Sequence, residues 1–328
     1  MIKTDFCLPR SIRVKLNSNC QFKCKFCHQE GNSQALDVIP KKLGEAVKVL
    51  RDELGFYRIH FTGGEPTLYS KFKDLISTTK ELGFVNALTS NGQFKNEKLT
   101  ELKEIGLSSI NFSLHTLNPY VFFNIQDMPL GMKDGVDWSR ECIENTVQNI
   151  LISNQVLETK VNCVVSNNSI GPREVLEFCI QNNIKLRFLN NLSLGTIATN
   201  KIKEILLEKR ADLIGHEITF LSSSHKLSYQ IGDYEFGVKC IRPFYLKSMC
   251  DGCDLKKNNK CMEGFYGIRL EDNPIKVRLC LNKNKSPQVQ SFSDFIKSPQ
   301  FNEIKNETEN AMKYLRKDSL IDEQKSMI

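Results

Sequence analysis

The sequence predicts an α/β fold: a parallel sheet of six strands joined by crossover helices, then a smaller segment of different character. Strand and helix patterns alternate from residue 11 to about residue 210, at a spacing that leaves one helix between successive strands. The residues that stand out chemically follow the strand ends. They are a cysteine loop, a Gly-Gly-Glu-Pro turn, Ser90-Asn91-Gly92 and Asn190-Asn191.

Each element has its own signal. Ile12, Val14 and Leu16 alternate with polar residues as a first strand that runs into the cysteine loop. A helical period covers 41–54, and a short strand over 58–61 ends in Thr62-Gly63-Gly64-Glu65-Pro66. A helix over 72–82 precedes a strand over 85–89, and a helix over 98–105 precedes a strand over 109–114. A longer helix spans about 142–155, before a strand over 160–165. Pro172 opens a helix through 181, and 185–189 forms the sixth strand. After residue 211 the repeat stops. Residues 216–249 read as short strands and loops, a second cysteine group follows, and 293–328 is polar and helical. The expected division is 1–211 and 212–328, with the two parts packed together because no low-complexity linker separates them.

The bulk numbers restrict the class. Of 328 residues, 40% are apolar and 25% charged, as in ordinary soluble proteins, and no apolar run approaches a membrane span. Residues 1–19 hold Lys3, Asp5, Arg10, Arg13 and Lys15 with no apolar core, so no signal peptide is read and a cytoplasmic location is expected. The 12 cysteines are then thiols and metal ligands rather than a disulfide framework. The net charge of +7 fits an anionic small-molecule substrate, or merely a lysine-rich chain. Without a dense basic tract interleaved with aromatics, nucleic acid is an unlikely partner.

Cys20, Cys24 and Cys27 form a C-x3-C-x2-C run. Three thiolates this close can hold three irons of a cubane and leave the fourth iron open. Proteins that only carry electrons through such clusters ligate every iron with cysteine, so three ligands point to chemistry at the cluster. Two alternatives compete. Cys24 to His28 spells the C-x-x-C-H pattern of haem attachment, which goes with an exported setting. A zinc site would take His28 as its fourth ligand, although His28 directly follows Cys27. Gly-Gly and Asn-Gly are ordinary tight turns when taken singly. Their repeated placement at one end of successive strands matches the rim where barrel-like α/β folds build active sites.

Together these residues resemble the radical S-adenosylmethionine (SAM) superfamily, and within it the molybdenum-cofactor GTP cyclase and its paralogues. The resemblance rests on Arg13 ahead of the cysteine triad, Thr62 to Pro66 and Ser90-Asn91-Gly92. It continues in Asn111 to Leu114, Thr116 to Pro119, Lys160 to Asn162 and the late cysteine group with Arg269 and Cys280. It implies a partial (β/α)6 TIM-like barrel with a C-terminal extension of the twitch or SPASM type that carries an auxiliary cluster. It also implies two 4Fe–4S clusters, SAM as cofactor, a 5′-deoxyadenosyl radical that abstracts hydrogen from substrate, and a flavodoxin- or ferredoxin-type reductant. By the same resemblance Phe26, Gly63, Gly64, Glu65, Pro66, Ser113 and Leu192 contact SAM, and Arg13, Thr89, Lys160 and Arg269 are catalytic or substrate residues. Physically, glycines let backbone approach a ligand closely, and carbonyls or Glu65 can accept from an ammonium group.

The sequence departs from the cyclase pattern in ways that bear on substrate. Tyr69 stands where the cyclase has an arginine, and Gly267-Ile268-Arg269 replaces its Arg-x-Arg. The late cysteines Cys250, Cys253, Cys261 and Cys280 number four rather than three. Four ligands would close the auxiliary cluster for electron transfer or support, and four-cysteine zinc sites use similar spacings. His60, His115 and His216 are candidate bases, each more readily read as an ordinary packed or exposed histidine. The expected function is radical chemistry on a small anionic or nucleotide-like substrate. Peptide maturation, genuine GTP cyclisation and a non-catalytic zinc or Fe–S scaffold are the alternatives.

Overall fold

A computed structural model describes residues 2–27, 37–127, 135–261, 263–283 and 286–325. Five of its 13 strands open the chain: β1 (Lys3–Cys7), β2 (Ser11–Lys15), β3 (Arg58–Thr62), β4 (Val85–Ser90) and β5 (Leu107–Ser113). β6 (Glu158–Val165) and β7 (Lys185–Asn190) follow. Strands β2 to β7 lie side by side in chain order, all parallel, and are the six that the sequence predicts.

Their connections include α1 (Pro40–Leu54), α2 (Phe72–Glu81), α3 (Glu97–Ile105), α4 (Pro119–Asn124), α5 (Gly135–Val156) and α6 (Ile170–Gln181). Local chemistry sets their ends. Pro40 opens α1, where its missing N–H costs nothing, and Gly55 closes it at φ 70°. The Asn118 side chain accepts from the Tyr120 and Val121 N–H groups at the start of α4.

The sheet is curled, and its two faces differ. The outer face puts Ile12, Val14, Ile59, Phe61, Phe112, Val161 and Phe188 against the helices, all fully buried. Each such side chain contributes about 1.5–3 kcal/mol of burial. The inner face carries Arg13, His60, Thr89, Asn111, Lys160, Asn162 and Arg187. A parallel strand buried on both faces reads as a continuous apolar run. Here one face is polar because it encloses cavities rather than packed core. This is the partial barrel of the α/β class.

The expected boundary at 211/212 falls between α7 (Thr196–Glu208) and β8 (Asp212–Thr219). The sheet nevertheless runs through it. β8, β9 (Ser224–Ile231) and β10 (Tyr234–Ile241) form an antiparallel meander, β10 pairs parallel with β7, and β1 pairs parallel with β8. On the opposite edge β11 (Arg269–Glu271) joins β2, followed by β12 (Lys276–Arg278) and β13 (Val289–Ser291).

Three features correct the sequence reading. The short strands and loops expected over 216–249 include three strands of eight residues each. Their faces are mostly half-buried, so no sharp apolar alternation announces them. Strand β1 precedes the first expected strand, because its pairing partner lies more than 200 residues away. Helix α5 begins at Gly135, earlier than the expected 142.

The short helices α8 (Lys247–Cys250), α9 (Asp254–Lys257) and α10 (Phe292–Phe295) lead to α11 (Pro299–Lys325). Glu303 of α11 accepts from the Lys247 and Ser248 N–H groups at 2.7 and 2.9 Å, tying α11 to the second cysteine group.

Candidate active site

The triad loop follows β2 and is pinned from two sides. Lys25 N–H donates to the Ile125 carbonyl at 2.9 Å, and Asp127 N–H donates to that of Lys23 at 2.7 Å. Phe22 packs edge-on against Phe122 and Trp138, with ring centroids 5.3 and 5.9 Å away. On the other side the turn after β3 meets the loop backbone: Gly64 N–H donates to Asn17 O at 3.0 Å and Glu65 N–H to Asn19 O at 2.6 Å. A Cβ on Gly64 would sit 2.1 Å from the Asn19 carbonyl oxygen. The close approach that requires glycine is therefore to the cysteine loop itself.

Glu65 is 1% exposed, and both its carboxylate oxygens accept hydrogen bonds. It accepts from Thr67 N–H, Thr67 Oγ1, Ser90 Oγ and Asn91 N–H at 3.1, 2.8, 2.8 and 2.7 Å. Burial raises its pKa and these donors oppose the rise. A carboxylate has about four acceptor sites. Glu65 thus clamps the turn after β3 to the turn after β4, and it also lines the cavity beside the triad. Pro66 starts a 3-10 turn behind this clamp, away from the cavity lining.

A cavity of about 280 Å³ opens at the C-terminal ends of the strands. Cys20, Cys24 and Cys27 line it together with Phe26, Gly63, Gly64, Glu65, Thr89, Ser113 and Leu192. The Asn91 amide lies 3.7 Å from Cys20 Sγ and the Gln126 amide 3.6 Å from Cys24 Sγ. Phe26 stands edge-on to His115 with centroids 4.8 Å apart. His115 accepts from Val164 N–H at Nδ1, and burial pushes its pKa down to about 4, so the ring is neutral.

A second cavity, about 670 Å³, occupies the opposite end of the barrel. Arg13, Arg187, Tyr266 and Arg269 line both. Lys160 lies in the second cavity, and burial first, then Arg187, bring its pKa down to about 8. Between the cavities His60 Nε2 meets Thr89 Oγ1 at 2.6 Å. Burial, then the charges of Arg13, Arg187, Arg58 and Lys160, push its pKa well below the usual value, so His60 is neutral. Arg187 donates to Asn162 Oδ1 at 3.1 Å.

The structure therefore gathers the expected Arg13, Thr89, Lys160 and Arg269 in one interior. It adds Arg187, Lys239 and Tyr266, which the sequence reading missed. Arg187 was legible in principle, since it occupies the inner-facing position of the sixth strand. Tyr69, at the altered arginine position, turns away and donates its hydroxyl to the Val38 carbonyl.

Cys250, Cys253, Cys261 and Cys280 line a separate small cavity beside Tyr245 and Lys256. Gly264 N–H reaches Cys261 Sγ at 3.3 Å, and the Asn282 and Lys283 N–H groups reach Cys280. Burial, then Cys261 and Cys280, push the Cys250 thiol up to about 11. Among the described residues no group of three or more His, Cys, Asp or Glu is already drawn together as a metal-ion site is. Both cysteine groups nonetheless offer a thiol donor set on one cavity wall with N–H groups aimed at sulfur, a chemistry that suits iron–sulfur ligation. His28 lies outside the described residues. His216 sits on the meander and stacks with His225, away from either cysteine group.

Residues 14–164 match the sequence model of the Radical SAM superfamily. That segment is a radical SAM domain. The chain is 27% identical over 304 residues to the probable GTP 3′,8-cyclase of Sulfolobus acidocaldarius, covering 90% of this chain and 88% of that protein. It is 26% identical over 265 residues to the GTP 3′,8-cyclase of Aquifex aeolicus, covering 74% of this chain and 77% of that one. Among solved structures, Streptococcus suis SuiB bound to precursor peptide SuiA has a TM-score of 0.49 at 18% identity, over 64% of this chain. This chain spans about half of SuiB's length, 49%. Methylornithine synthase has a TM-score of 0.42 at 16% identity, over 62% of this chain and 63% of that one. Among the described residues no helix of this radical SAM protein is long and apolar enough to cross a membrane.

Proposed function

We propose that this radical SAM enzyme acts on a small anionic, nucleotide-like substrate held inside the barrel. The observation that carries the reading is the wall shared by the two cavities, where Arg13, Arg187 and Arg269 converge from three strands. A cavity of about 670 Å³ lies within the range of small-molecule sites.

In this reading Cys20, Cys24 and Cys27 hold a 4Fe–4S cluster, and the adjoining cavity holds SAM. Reduced and bound together, the cluster and SAM supply homolytic C–S cleavage and a hydrogen-abstracting carbon radical. The chain's part is placement and protection. The backbone of Gly63 and Gly64 presents carbonyl acceptors to an ammonium group, Phe26 offers a ring face held by His115, and Ser113 and Leu192 close the walls. Arg13, Arg187 and Arg269 fix the anionic end of the substrate by charge-assisted hydrogen bonds, with Lys160 reaching it from the wider cavity. His60, neutral and bonded to Thr89, accepts or donates a proton only through its ring nitrogens and adds no charge near the reacting carbon. Cys250, Cys253, Cys261 and Cys280 hold a second, fully ligated cluster on this account, with zinc as the competing occupant.

The names of the relatives favour one specific version, GTP 3′,8-cyclisation. Tyr69 and Gly267, which give this chain fewer arginines than the cyclase pattern, argue for a different nucleotide or phosphorylated metabolite. The test is stimulation of 5′-deoxyadenosine release by a panel of nucleotides and phosphorylated metabolites, GTP included. One compound that raises release and is itself transformed supports the reading. A panel without effect, in protein with full iron content, overturns it.

A further inference from the structure

Three interior cations gather around the ring of Tyr266. Lys239 Nζ lies 4.0 Å from its centroid, with Arg13 Cζ at 5.4 Å and Arg269 Cζ at 5.6 Å. These three come from β10, β2 and β11, and the charge of Arg187 on β7 also acts on Tyr266. The acids nearest the group are Glu263, 3.8 Å from Arg269, and Glu217, whose field reaches Arg187. His60, Lys160, Arg58 and Glu158 are further titratable or charged groups of the same cavity.

Buried cations call for counter-charge. Glu263 and Glu217 supply part of it, and the phenol can add to it by losing a proton. We infer that Tyr266 is a resident counter-ion of the barrel, its phenolate balancing Arg13, Arg187, Lys239 and Arg269 until an anionic substrate group engages those cations. The phenolate oxygen then takes one proton from solvent and becomes a neutral phenol. The attraction of Lys239 above all, then of the three arginines, brings the Tyr266 pKa down to about 7 against the opposing effect of burial. The inference rests on the anionic-substrate reading above.

The consequence is proton uptake linked to anion binding. The probe is sulfate, which keeps its full charge across this range, titrated calorimetrically into the holoenzyme at pH 7 in buffers of different ionisation enthalpy. Wild type is expected to take up about half a proton per sulfate bound, since the phenol titrates near pH 7. Lys160, with its pKa near 8, contributes about a tenth. Tyr266→Phe is expected to lose this uptake and still bind sulfate at pH 6, while Lys160→Arg keeps it. A loss of the near-ultraviolet tyrosinate band when sulfate is added to wild type reads the same event without any variant. Sulfate binding with no uptake and an unchanged band overturns the Tyr266 assignment and leaves the anion site standing. Uptake that persists in Tyr266→Phe assigns the proton to a lysine and also overturns it. No sulfate binding at pH 6 overturns both this inference and the anionic-substrate reading.

Discussion

Glu65 and Asn91 join the ends of two neighbouring barrel strands: the Asn91 N–H donates to Glu65 Oε2 at 2.7 Å, 26 residues apart in sequence. The other Glu65 oxygen accepts from Ser90 and from Thr67. Asn91 in turn reaches toward Cys20, so the clamp and the cysteine loop form one connected unit. The Gly-Gly-Glu-Pro turn is first a brace for the cluster loop and second a surface of the cavity.

Replacing Glu65 by Gln removes the charge and sets an NH2 group against donors that need an acceptor. Leaving buried donors unsatisfied costs about 1–3 kcal/mol, more where a charged partner is lost. The Glu65→Gln protein is expected to unfold at lower urea concentration by about 2–4 kcal/mol of stability. It is also expected to bind SAM more weakly, as followed by equilibrium dialysis. Unchanged stability would show that the clamp carries no weight.

At Gly64 the expectation is steric. A methyl group directed at the Asn19 carbonyl from 2.1 Å has to displace the loop that carries the triad. Gly64→Ala is expected to lower reconstituted iron by the content of one cluster while helix content by circular dichroism stays the same. Full iron loading in that variant would contradict the bracing role.

His115 gives the structure an acid limit. Its folded-state pKa of about 4 lies below the unfolded value near 6.5, so the unfolded chain binds its proton first. The stability is fully present above pH 6.5 and is lost as pH falls toward 4. A shift of that size corresponds to about 3 kcal/mol. His115 lines the cavity and is only half-buried, which reduces the expected loss to about 1–3 kcal/mol. His115→Gln, which keeps an acceptor for the Val164 N–H, is expected to flatten this limb in urea unfolding measured from pH 7 to 4.5. Parallel limbs in the two proteins would assign the acid sensitivity elsewhere.

For the second cysteine group, Cys261→Ser is expected to separate the two metal sites. Reconstituted iron falls from about eight to about four per chain, one cubane's worth, and the cavity beside Phe26 still binds SAM. Zinc in place of the missing iron in wild type would instead assign the four thiols to a structural site.

Much of the barrel was legible because strand and helix periods are local properties. The six parallel strands and the rim turns follow from apolar spacing and glycine placement alone. Strand β1 was not legible, since 3–7 pairs with the distant β8. Nor was the meander, whose half-buried faces blur the two-residue period. The candidate site divides along the same line. Cys20, Cys24 and Cys27 are close in sequence and announce themselves. The cation layer is assembled from β2, β7, β10 and β11, and only the fold brings Arg187, Lys239 and Tyr266 to Arg13. Tyr69 shows the converse: at the position of a cyclase arginine it faces the interior packing, where its hydroxyl meets Val38.

The most direct measurement is 5′-deoxyadenosine released from SAM by the anaerobically reconstituted protein with dithionite, beside a variant with Cys20, Cys24 and Cys27 all changed to Ala. The account expects release from the wild type, rising when an anionic substrate is supplied, and none above background from the variant. Equal release from both proteins, or none from a fully iron-loaded wild type with any nucleotide, would contradict it.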